Sequence, residues 1–328
     1  MSLKKITTIG VLTSGGDSPG MNAAIRAVVR GAIYHKLQVY GIQRGYQGLM
    51  DDDMEEMQSH SVSNIIQCGG TILKTARCMD FMTIEGRKKA RENLLSRGID
   101  ALVVIGGDGS FAGAQVFSEE FGFPIVGIPG TIDNDICGTD YTIGYDTALN
   151  TVVEAVDKIR DTASAHNRLF FIEVMGRHAG FLTLYSGIAT GAEAIMVPEI
   201  TNDYDMLNTF LNSAHKQHKT SSIVLVAEGD ELGGAIKIAK QAKKDHPEYD
   251  VRVTILGHIQ RGGSPTATDR INAGRMGVAA VEALLKGEQG IMIGLVRNQL
   301  AYNPLSKSKK GKRSLDEKLL DLIEILSI

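Results

Sequence analysis

The sequence has no tryptophan, few aromatic residues and three cysteines among 328 residues. These cysteines, Cys68, Cys78 and Cys137, are odd in number and lack Cys-x-x-Cys spacing, so neither a disulfide framework nor a zinc site is indicated. The apolar runs fall well short of the roughly 18 residues that a membrane span needs. Charge of one sign is not in excess either, because the net charge is −3. We therefore expect no nucleic-acid partner and no membrane partner.

The composition is that of an ordinary globular protein. Hydrophobic residues make up 43% and charged residues 22% of the chain. The length suits about two domains. Residues 1–5 lead directly into a strand-like run, without the apolar segment of a signal peptide. We predict a cytoplasmic location.

Short apolar runs alternate with longer segments of helical periodicity. The run 101–105 (ALVVI) is nearly all apolar, as a strand covered on both faces would be. Strand–helix alternation with short connections predicts parallel sheets flanked by helices, and the length suggests two of them. The fold class is therefore α/β, with two doubly wound, mainly parallel sheet domains. Ligands of such sheets bind at the carboxyl ends of the strands.

The predicted strands are 6–13, 39–42, 101–105, 125–128, 169–174, 222–227, 251–256 and 291–296. The predicted helices are 20–36, 85–97, 110–120, 147–165, 179–190, 203–218, 234–244, 269–286 and 315–325. Gly98 is expected to end the second helix as a left-handed cap. The basic segment 307–313 (KSKKGKR) is interpreted as a solvated connector and not as an anion-binding tail, because the chain as a whole is acidic.

Three glycine-rich turns follow three apolar strands in the first half of the chain. They are 13–20 (TSGGDSPG), 106–110 (GGDGS) and 129–135 (PGTIDND). Glycine lets a backbone approach a ligand, and a helix N-terminus offers N–H groups to phosphate oxygens. A single such turn is most often just a tight turn. Three of them, two with aspartate, indicate a site for a polyphosphate and its metal ion.

The second turn has competing interpretations. Gly107-x-Gly109-x-x-Ala112 matches a loose dinucleotide fingerprint, but Pro129 and Gly130 stand where the expected acidic residue would be, which disfavours a nicotinamide dehydrogenase. No P-loop motif and no protein-kinase motif set occurs in the sequence. Gly-Gly-Asp-Gly-[Ser/Thr] also occurs in diacylglycerol- and NAD-kinase-like enzymes. The turn therefore indicates phosphoryl transfer without identifying the acceptor.

Charged residues in and after the predicted strands supply the remaining chemistry. Asp133 and Asp135 can hold Mg²⁺ or act as a general base, although a turn-capping pair is the default for such residues seen alone. Guanidinium groups bind phosphate through two hydrogen bonds, so arginines at strand ends predict an anion pocket. The candidates for that pocket are Arg168, Arg177, Arg252, His258 and Arg261.

Taken together and in order, these motifs resemble the ATP-dependent 6-phosphofructokinases of the bacterial type. The resemblance covers residues 6–296 and also rests on 69–77 (GGTILKTAR), 175–177 (MGR) and 257–263 (GHIQRGG). It implies Mg-ATP as donor, fructose 6-phosphate as acceptor and a homotetramer with active sites shared between subunits. It also implies an active site in the cleft between two domains, a larger ATP-binding one (1–144 plus 257–305) and a smaller sugar-phosphate-binding one (145–256 plus 306–328).

The resemblance also implies roles for individual residues. Asp133 would be the base that deprotonates the sugar C1 hydroxyl, supported by Thr131 and Arg177, and Mg²⁺ would be held by Asp108 and Asp135. ATP would be bound by Gly16, Arg77, Cys78, Gly107, Asp108, Gly109 and Ser110. Fructose 6-phosphate would be bound by Thr131, Asp133, Arg168, Met175, Gly176, Arg177, Glu228, Arg252, His258 and Arg261, with Arg168 and Arg252 reaching in from a neighbouring subunit.

The same resemblance implies an effector site between subunits. Its matching residues are Arg26, Arg30, Arg160, Glu193 and Lys219. Ser59 and Gln217 stand where regulated relatives have Arg or Lys, so we expect a weak response to effectors.

Two other functions remain open at this point. One is a pyrophosphate-dependent relative, in which Asp and Lys replace Gly109 and Gly130; the two glycines of this chain are expected to leave space for a nucleotide, which favours ATP as donor. The other is a non-catalytic sugar-phosphate-binding regulator, which would need an output module that the sequence does not show.

Overall fold

The computed structural model describes residues 6–163, 168–200, 203–216, 221–310 and 313–326. The chain divides into two compact units. The first consists of Met1–Thr131, Ile136–Thr147 and Arg261–Lys312, and the second of Ile132–Asp135, Ala148–Gln260 and Arg313–Ile328. The two domains expected from the sequence, 1–144 plus 257–305 and 145–256 plus 306–328, stay a prediction.

The strands among the described residues confirm the predicted α/β alternation. They are β1 Thr8–Ser14, β2 Gln38–Ile42, β3 Met54–Glu56, β4 Ala101–Gly106, β5 Ile125–Pro129, β6 Arg168–Val174, β7 Ala194–Met196, β8 Ser221–Ala227, β9 Asp250–Ile255, β10 Ile291–Val296 and β11 Gln299–Pro304.

The helices alternate with these strands. They are α1 Met21–Tyr34, α2 Tyr46–Asp51, α3 Ile84–Ser96, α4 Asp108–Phe121, α5 Tyr145–Ala163, α6 Phe181–Thr190, α7 Asp203–Lys216, α8 Ala235–Asp245, α9 Ala267–Leu285, α10 Leu305–Lys310 and α11 Glu317–Leu326. None of the helices in the described part of the chain has the length and apolar character needed to cross a bilayer.

The first unit contains a seven-stranded sheet in the order β11-β10-β5-β4-β1-β2-β3. Its pairs are parallel except for β10–β11 and β2–β3 at the two edges. The chain runs from β1 to β2 on one side and later to β4 on the other, so the strand order reverses at β1. Ser14 pairs with Gly106, and Gly106 with Pro129. The three predicted glycine turns therefore leave the sheet side by side at its carboxyl edge.

The second unit contains a four-stranded parallel sheet in the order β7-β8-β6-β9. Val174 at the end of β6 pairs with Ala227 at the end of β8. Arg168 at the start of β6 pairs with Asp250 at the start of β9. Residues 175–177 and 228 therefore leave the sheet at the same edge.

Strand β4 shows why the first sheet is buried on both faces. Val103 and Ile105 belong to one apolar cluster with α1 and α9, whereas Leu102 and Val104 belong to another with α3 and α4. Successive side chains of a strand point to opposite faces, so a run without polar residues fits only between two helical layers. This confirms the interpretation of 101–105.

The predicted end of α3 is confirmed, whereas the cap at its start was not predicted. The Thr83 hydroxyl accepts a 3.0 Å hydrogen bond from the Gly86 N–H, which satisfies one of the free donors of the first turn. Gly98 follows the helix at φ +68°, as predicted for a left-handed cap. Most predicted elements match the structure to within two or three residues. The predicted ends of two helices, Ala165 and His218, lie outside the described residues.

Several short elements had no sequence signal. Strands β3 and β7 have three residues each, and α2 and α10 have six, which is too short for a periodicity to be visible. Strand β11 was missed although it has six residues, because its sequence QLAYNP does not alternate clearly and ends in proline. These elements are edge strands or short helices that tertiary packing stabilises.

The interpretation of 307–313 as a solvated connector is confirmed for the exposed Lys307 only, because the described residues up to 310 belong to helix α10 and Arg313 is half-buried. Residues 305–310 form α10, in which Leu305 and Ser308 are buried, and the Lys307 ammonium donates to Asn303 Oδ1 at 3.0 Å. Arg313 is half-buried and donates a hydrogen bond to the carbonyl oxygen of Asn134. A basic segment in an acidic chain predicts solvation, but it carries no information about the carbonyl groups that its cations meet.

Candidate active site

The turn after β1 lies against Arg261. Nη1 of Arg261 donates to the carbonyl oxygen of Asp17 at 3.2 Å. A Cβ at Gly16 would collide with the same guanidinium, so only glycine allows this approach. Arg261 is half-buried, whereas His258 is exposed in the short helical turn 257–261 that leads to it. The structure thus places Gly16 and Arg261 together.

The turn after β4 opens α4 and holds the second group of predicted residues. Gly107 precedes the helix, Asp108 and Gly109 are exposed in its first turn, and Ser110 is buried. Oδ1 of Asp108 accepts the Gly109 N–H at 2.6 Å. Apart from its chain neighbours and the backbone of its own helix, no atom of the described residues lies within 4 Å of the position that a Cβ of Gly109 would take. This helix N-terminus therefore faces open space beside an exposed carboxylate, as a polyphosphate site requires.

The turn after β5 is packed and not open. The Gly130 N–H donates to Gly106 O at 3.0 Å, and Thr131 N–H donates to Ile143 O at 3.1 Å. A Cβ at Gly130 would lie 3.1 Å from Ile105 Cγ2 and 3.2 Å from Met21 Cε. We expected both Gly109 and Gly130 to leave space for a nucleotide. The structure supports this for Gly109 only. At position 130, a side chain would lie too close to Ile105 and Met21, so glycine is needed there for packing.

Arg77 and Cys78 lie in the segment between β3 and α3. The Arg77 side chain is exposed, and the Cys78 thiol is half-buried beside Met50, with 3.4 Å between the two sulfur atoms. Burial raises the pKa of the Cys78 thiol, so at neutral pH it is a neutral packing group. Arg77 is the one of the two that is available to an anion.

Two buried side chains that we did not predict hold neighbouring parts of this site. Asn22 on α1 donates to the carbonyl oxygens of Cys68 and Gly69 and accepts the Ile72 N–H at 2.8 Å. The Tyr46 hydroxyl donates to Ser110 O at 2.5 Å. A polar residue on an otherwise apolar helix face was the available signal for Asn22. Nothing in the sequence singled out Tyr46.

Asp133 and Arg177 meet in the second unit. Nε of Arg177 lies 3.7 Å from Oδ2 of Asp133, and the two side chains are 56% and 5% exposed, respectively. Between Asp133 and Asp135, Asn134 has a left-handed backbone at φ +53°. The structure therefore combines a nearly buried carboxylate with an accessible guanidinium, an arrangement compatible with a base beside a charged substrate.

Two side chains, Glu228 and Gln260, accept hydrogen bonds from the backbone N–H groups of the turn that contains Arg177. Oε1 of Glu228 accepts the N–H of Arg177 at 2.8 Å and that of Gly176 at 3.4 Å. Gln260 is fully buried and accepts the Met175 N–H at 3.2 Å. The role of Glu228 as a sugar ligand stays a prediction, and what the structure shows is that this side chain fixes the turn. Gln260 was not predicted, because only the basic residues of its motif, His258 and Arg261, were singled out as candidates.

Arg168 and Arg252 lie at the other edge of that sheet. Both donate to the Asp250 carboxylate, at 3.2 and 2.9 Å. Arg168 begins β6 and Arg177 follows its end, so the seven residues of the strand separate them by about 20 Å. The basic residues expected to form one pocket are therefore not all brought together within this chain.

The predicted effector residues have these positions. Arg26 and Arg30 line a pocket of about 490 Å³ between α1 and α9, together with Tyr34 and Glu282. Arg160 pairs with Glu193 at 3.2 Å and donates to two backbone carbonyls at the end of α6. Ser59 begins an exposed helical turn. Gln217 and Lys219 lie outside the described residues.

Asp108 and Asp135 carry the oxygen ligands expected for a metal ion that is also bound by substrate phosphate groups. Asp108 is exposed and Asp135 is half-buried. Among the described residues, no three His, Cys, Asp or Glu side chains form a group that could hold a metal ion without another ligand. Mg²⁺ is commonly held by one or two carboxylates plus phosphate oxygens, so these oxygen donors are suitable.

The chain is similar to known proteins over most of its length. Residues 8–284 match the family described as Phosphofructokinase. The ATP-dependent 6-phosphofructokinase 2 of Bacteroides thetaiotaomicron is 57% identical over 98% of this chain and 99% of its own length. The ATP-dependent 6-phosphofructokinase of Halalkalibacterium halodurans is 55% identical over the same shares of the two chains.

A solved structure agrees with the sequence comparisons. The phosphofructokinase of Saccharomyces cerevisiae superimposes with a TM-score of 0.88 at 39% identity, over 98% of this chain. The chain spans 48% of that yeast chain. With a family match over most of its length and relatives above half identity, this chain belongs to the phosphofructokinase family.

Proposed function

We propose that the chain transfers the terminal phosphoryl group of ATP to the C1 hydroxyl of D-fructose 6-phosphate, giving fructose 1,6-bisphosphate and ADP in glycolysis. The observation that carries this proposal is the identity of its curated relatives, which are named ATP-dependent 6-phosphofructokinases and match nearly its full length. The geometry described above is compatible with that reaction, since phosphoryl transfer needs positioned charge, a metal and one oriented base.

The nucleotide end of the site is assigned to the first unit. Gly107, Asp108, Gly109 and Ser110 would bind ATP phosphates at the start of α4. The open space over Gly109 supports this, since phosphate oxygens could approach the free N–H groups at the start of α4. Gly16, Arg77 and Cys78 would complete the site, with Arg77 supplying charge and the neutral Cys78 supplying a wall.

The sugar end is assigned to residues of the second unit together with Thr131 and Arg261. Asp133 would accept the proton of the C1 hydroxyl, and Arg177, whose Nε is 3.7 Å from that carboxylate, would stabilise the transferring phosphoryl group. Glu228 would accept hydrogen bonds from sugar hydroxyl groups through its second oxygen, since Oε1 already accepts from two backbone N–H groups. Met175 and Gly176 would line the sugar, and His258 and Arg261 its 6-phosphate.

Mg²⁺ would be held by Asp108 and Asp135. When bound with ATP, it would neutralise charge on the phosphate oxygens. Oδ1 of Asp108 already accepts the Gly109 N–H, which orients this carboxylate before any ligand arrives.

The positions of Arg168 and Arg252 support active sites shared between subunits. Both side chains lie at the sheet edge opposite to Arg177 and share Asp250, so within one chain they are remote from the group they would serve. A symmetric oligomer could bring this edge to the site of a second copy. We therefore keep the homotetramer as part of the proposal. The cytoplasmic location stays a prediction.

One assay tests the proposed function. The purified chain is given fructose 6-phosphate with either Mg-ATP or Mg-pyrophosphate, and fructose 1,6-bisphosphate is measured through coupled aldolase and reductase reactions. We expect turnover with ATP and none of use with pyrophosphate. Equal rates with both donors would contradict the donor assignment, and no product with either would contradict the function.

A further inference from the structure

Arg313 contacts the segment that carries the Asp133 carboxylate. Its Nη1 donates to the carbonyl oxygen of Asn134 at 3.2 Å, and its guanidinium carbon lies 4.7 Å from the ring centre of Phe181. Arg313 and Asn134 are 179 residues apart in sequence. All three residues belong to the second unit, so these contacts lie within one compact body.

The Asn134 peptide is the place where such a contact matters. Asn134 is 2% exposed and has φ +53°, a left-handed conformation that is uncommon for a residue with a side chain. Strained backbone of this kind persists only where the surroundings fix it. The carbonyl that Arg313 holds belongs to the residue directly after Asp133, so the same contact restrains the orientation of the Asp133 backbone.

The other side of the guanidinium is fixed as well. Phe181 is the first residue of α6 and 2% exposed, and a cation over an aromatic face is attracted by the ring quadrupole. Helix α6 follows the turn that contains Arg177. Arg313 therefore connects the turn with Asp133 to the helix that follows the turn with Arg177, and Nε of Arg177 and Oδ2 of Asp133 are 3.7 Å apart.

We propose that Arg313 is a positioning residue for Asp133, which keeps the Asp133 carboxylate at its observed distance from the Arg177 guanidinium. This inference rests on the proposed function, because it assumes that Asp133 is the base. Arg313 itself would touch no substrate. A displacement of a catalytic group by about 1 Å costs about 100-fold in rate, so loss of the contact should lower kcat by about 10- to 100-fold.

The test uses Arg313→Met, which keeps a flexible side chain over Phe181 but removes the donor. We expect kcat to fall by about 10- to 100-fold. The KM for fructose 6-phosphate should change less than threefold, on the order expected when ground-state binding is untouched. Arg313→Lys retains a donor without the planar stack, so its kcat should lie between those of the parent and Arg313→Met.

Arg275→Met is the matched control. Arg275 also donates to the carbonyl oxygen of an asparagine with a left-handed backbone, Asn298, at 2.8 Å, but this asparagine lies in the exposed turn between β10 and β11 and is not adjacent in sequence to any proposed catalytic residue. Its kcat should equal that of the parent. Equal losses in Arg275→Met and Arg313→Met would overturn the positioning role in favour of a general loss of stability.

The remaining outcomes are distinct. A folded Arg313→Met with parental kcat overturns the inference while leaving the function intact. If that variant does not fold, Arg313→Lys decides: reduced kcat at the parental melting temperature supports the inference, and parental kcat overturns it.

A parent without phosphofructokinase activity overturns the proposed function and the inference with it. An active Asp133→Asn overturns the base assignment and this inference, but not the function.

Discussion

The Arg177 guanidinium stands 3.7 Å from the Asp133 carboxylate although the two residues lie 44 positions apart in the sequence. The carboxylate is nearly buried, whereas the guanidinium is more than half exposed. The turn of Arg177 is tied to Glu228 through backbone N–H groups, and that of Asp133 to Arg313 through the Asn134 carbonyl. Of the two side chains, Arg177 is therefore the more accessible to an anion.

The first prediction concerns the base. Asp133→Asn preserves the shape of the side chain but removes the proton acceptor, so kcat should fall by roughly 10² to 10⁴-fold while substrate binding changes little. Steady-state kinetics with fructose 6-phosphate and Mg-ATP measure both quantities. A variant with near-parental kcat would leave Asp133 with a turn-capping role alone.

Much of this arrangement could be predicted from the sequence, because the strands of the first sheet are apolar runs and their turns are rich in glycine. The parallel sheets needed no more than that alternation, whereas the strand order was not predicted. The packing around Gly130 could not be predicted, since an open glycine and a packed glycine look the same in sequence. The same holds for Arg313: which carbonyl a basic side chain meets depends on contacts between residues 179 positions apart.

The second prediction separates the two glycines of the donor site. Gly109→Ala should fold normally, because, apart from its chain neighbours and the backbone of its own helix, no atom of the described residues lies within 4 Å of the added Cβ and alanine favours the first turn of α4. Gly130→Ala should lower the melting temperature, since Ile105 and Met21 would have to move. Only the first variant should show a raised KM for ATP at parental stability. Thermal unfolding and ATP saturation curves together measure this, and equal melting temperatures would contradict it.

The third prediction concerns regulation. Arg160 is already bound to Glu193 and to two carbonyl groups, so an effector anion would have to compete with these contacts. Ser59 and Gln217, which stand where regulated relatives have Arg or Lys, supply no charge. A charge-assisted hydrogen bond is worth about 1.5–3 kcal/mol and allosteric coupling totals about 1–3 kcal/mol, so two missing basic contacts remove most of the coupling.

We therefore expect fructose 6-phosphate saturation curves to shift little when millimolar ADP or phosphoenolpyruvate is added. A large shift of the half-saturation point by either compound would show that Ser59 and Gln217 are not decisive.

The fourth prediction concerns shared active sites. Arg252→Ala should raise the KM for fructose 6-phosphate by about 10- to 100-fold, because a charge-assisted contact to phosphate is lost. Asp133→Asn should be nearly inactive. If Arg252 serves the site of another subunit, then mixing the two variants, dissociating them and letting them reassemble should create some sites with both native residues. Activity at low fructose 6-phosphate should then exceed the mean of the two variants alone. No gain would place both residues in one chain's site.

The fifth prediction concerns the pH dependence of stability. Asp269 on α9 is 2% exposed and accepts hydrogen bonds from Gly144 N–H and from the N–H and hydroxyl of Thr147. Burial raises its pKa from 3.8 to about 6, with the hydrogen bonds acting in the opposite direction. The folded state therefore binds the Asp269 proton more tightly than the unfolded state does. Its contribution to the free energy of unfolding is greatest below pH 4 and is lost as the pH rises to about 6.

Asp269→Asn removes this ionisation while keeping an acceptor for Gly144. The difference in unfolding free energy, parent minus variant, should decrease by about 3 kcal/mol or less between pH 4 and pH 7, and the whole change should lie below pH 7. Urea unfolding at a series of pH values measures this difference, in which the other titrating groups cancel. Asp52→Asn is the control of opposite sign, because the Arg97 guanidinium lowers the pKa of Asp52, so there the difference should grow as the pH rises. A parent-minus-variant difference for Asp269 that does not vary with pH would show that its carboxyl group titrates at its ordinary value.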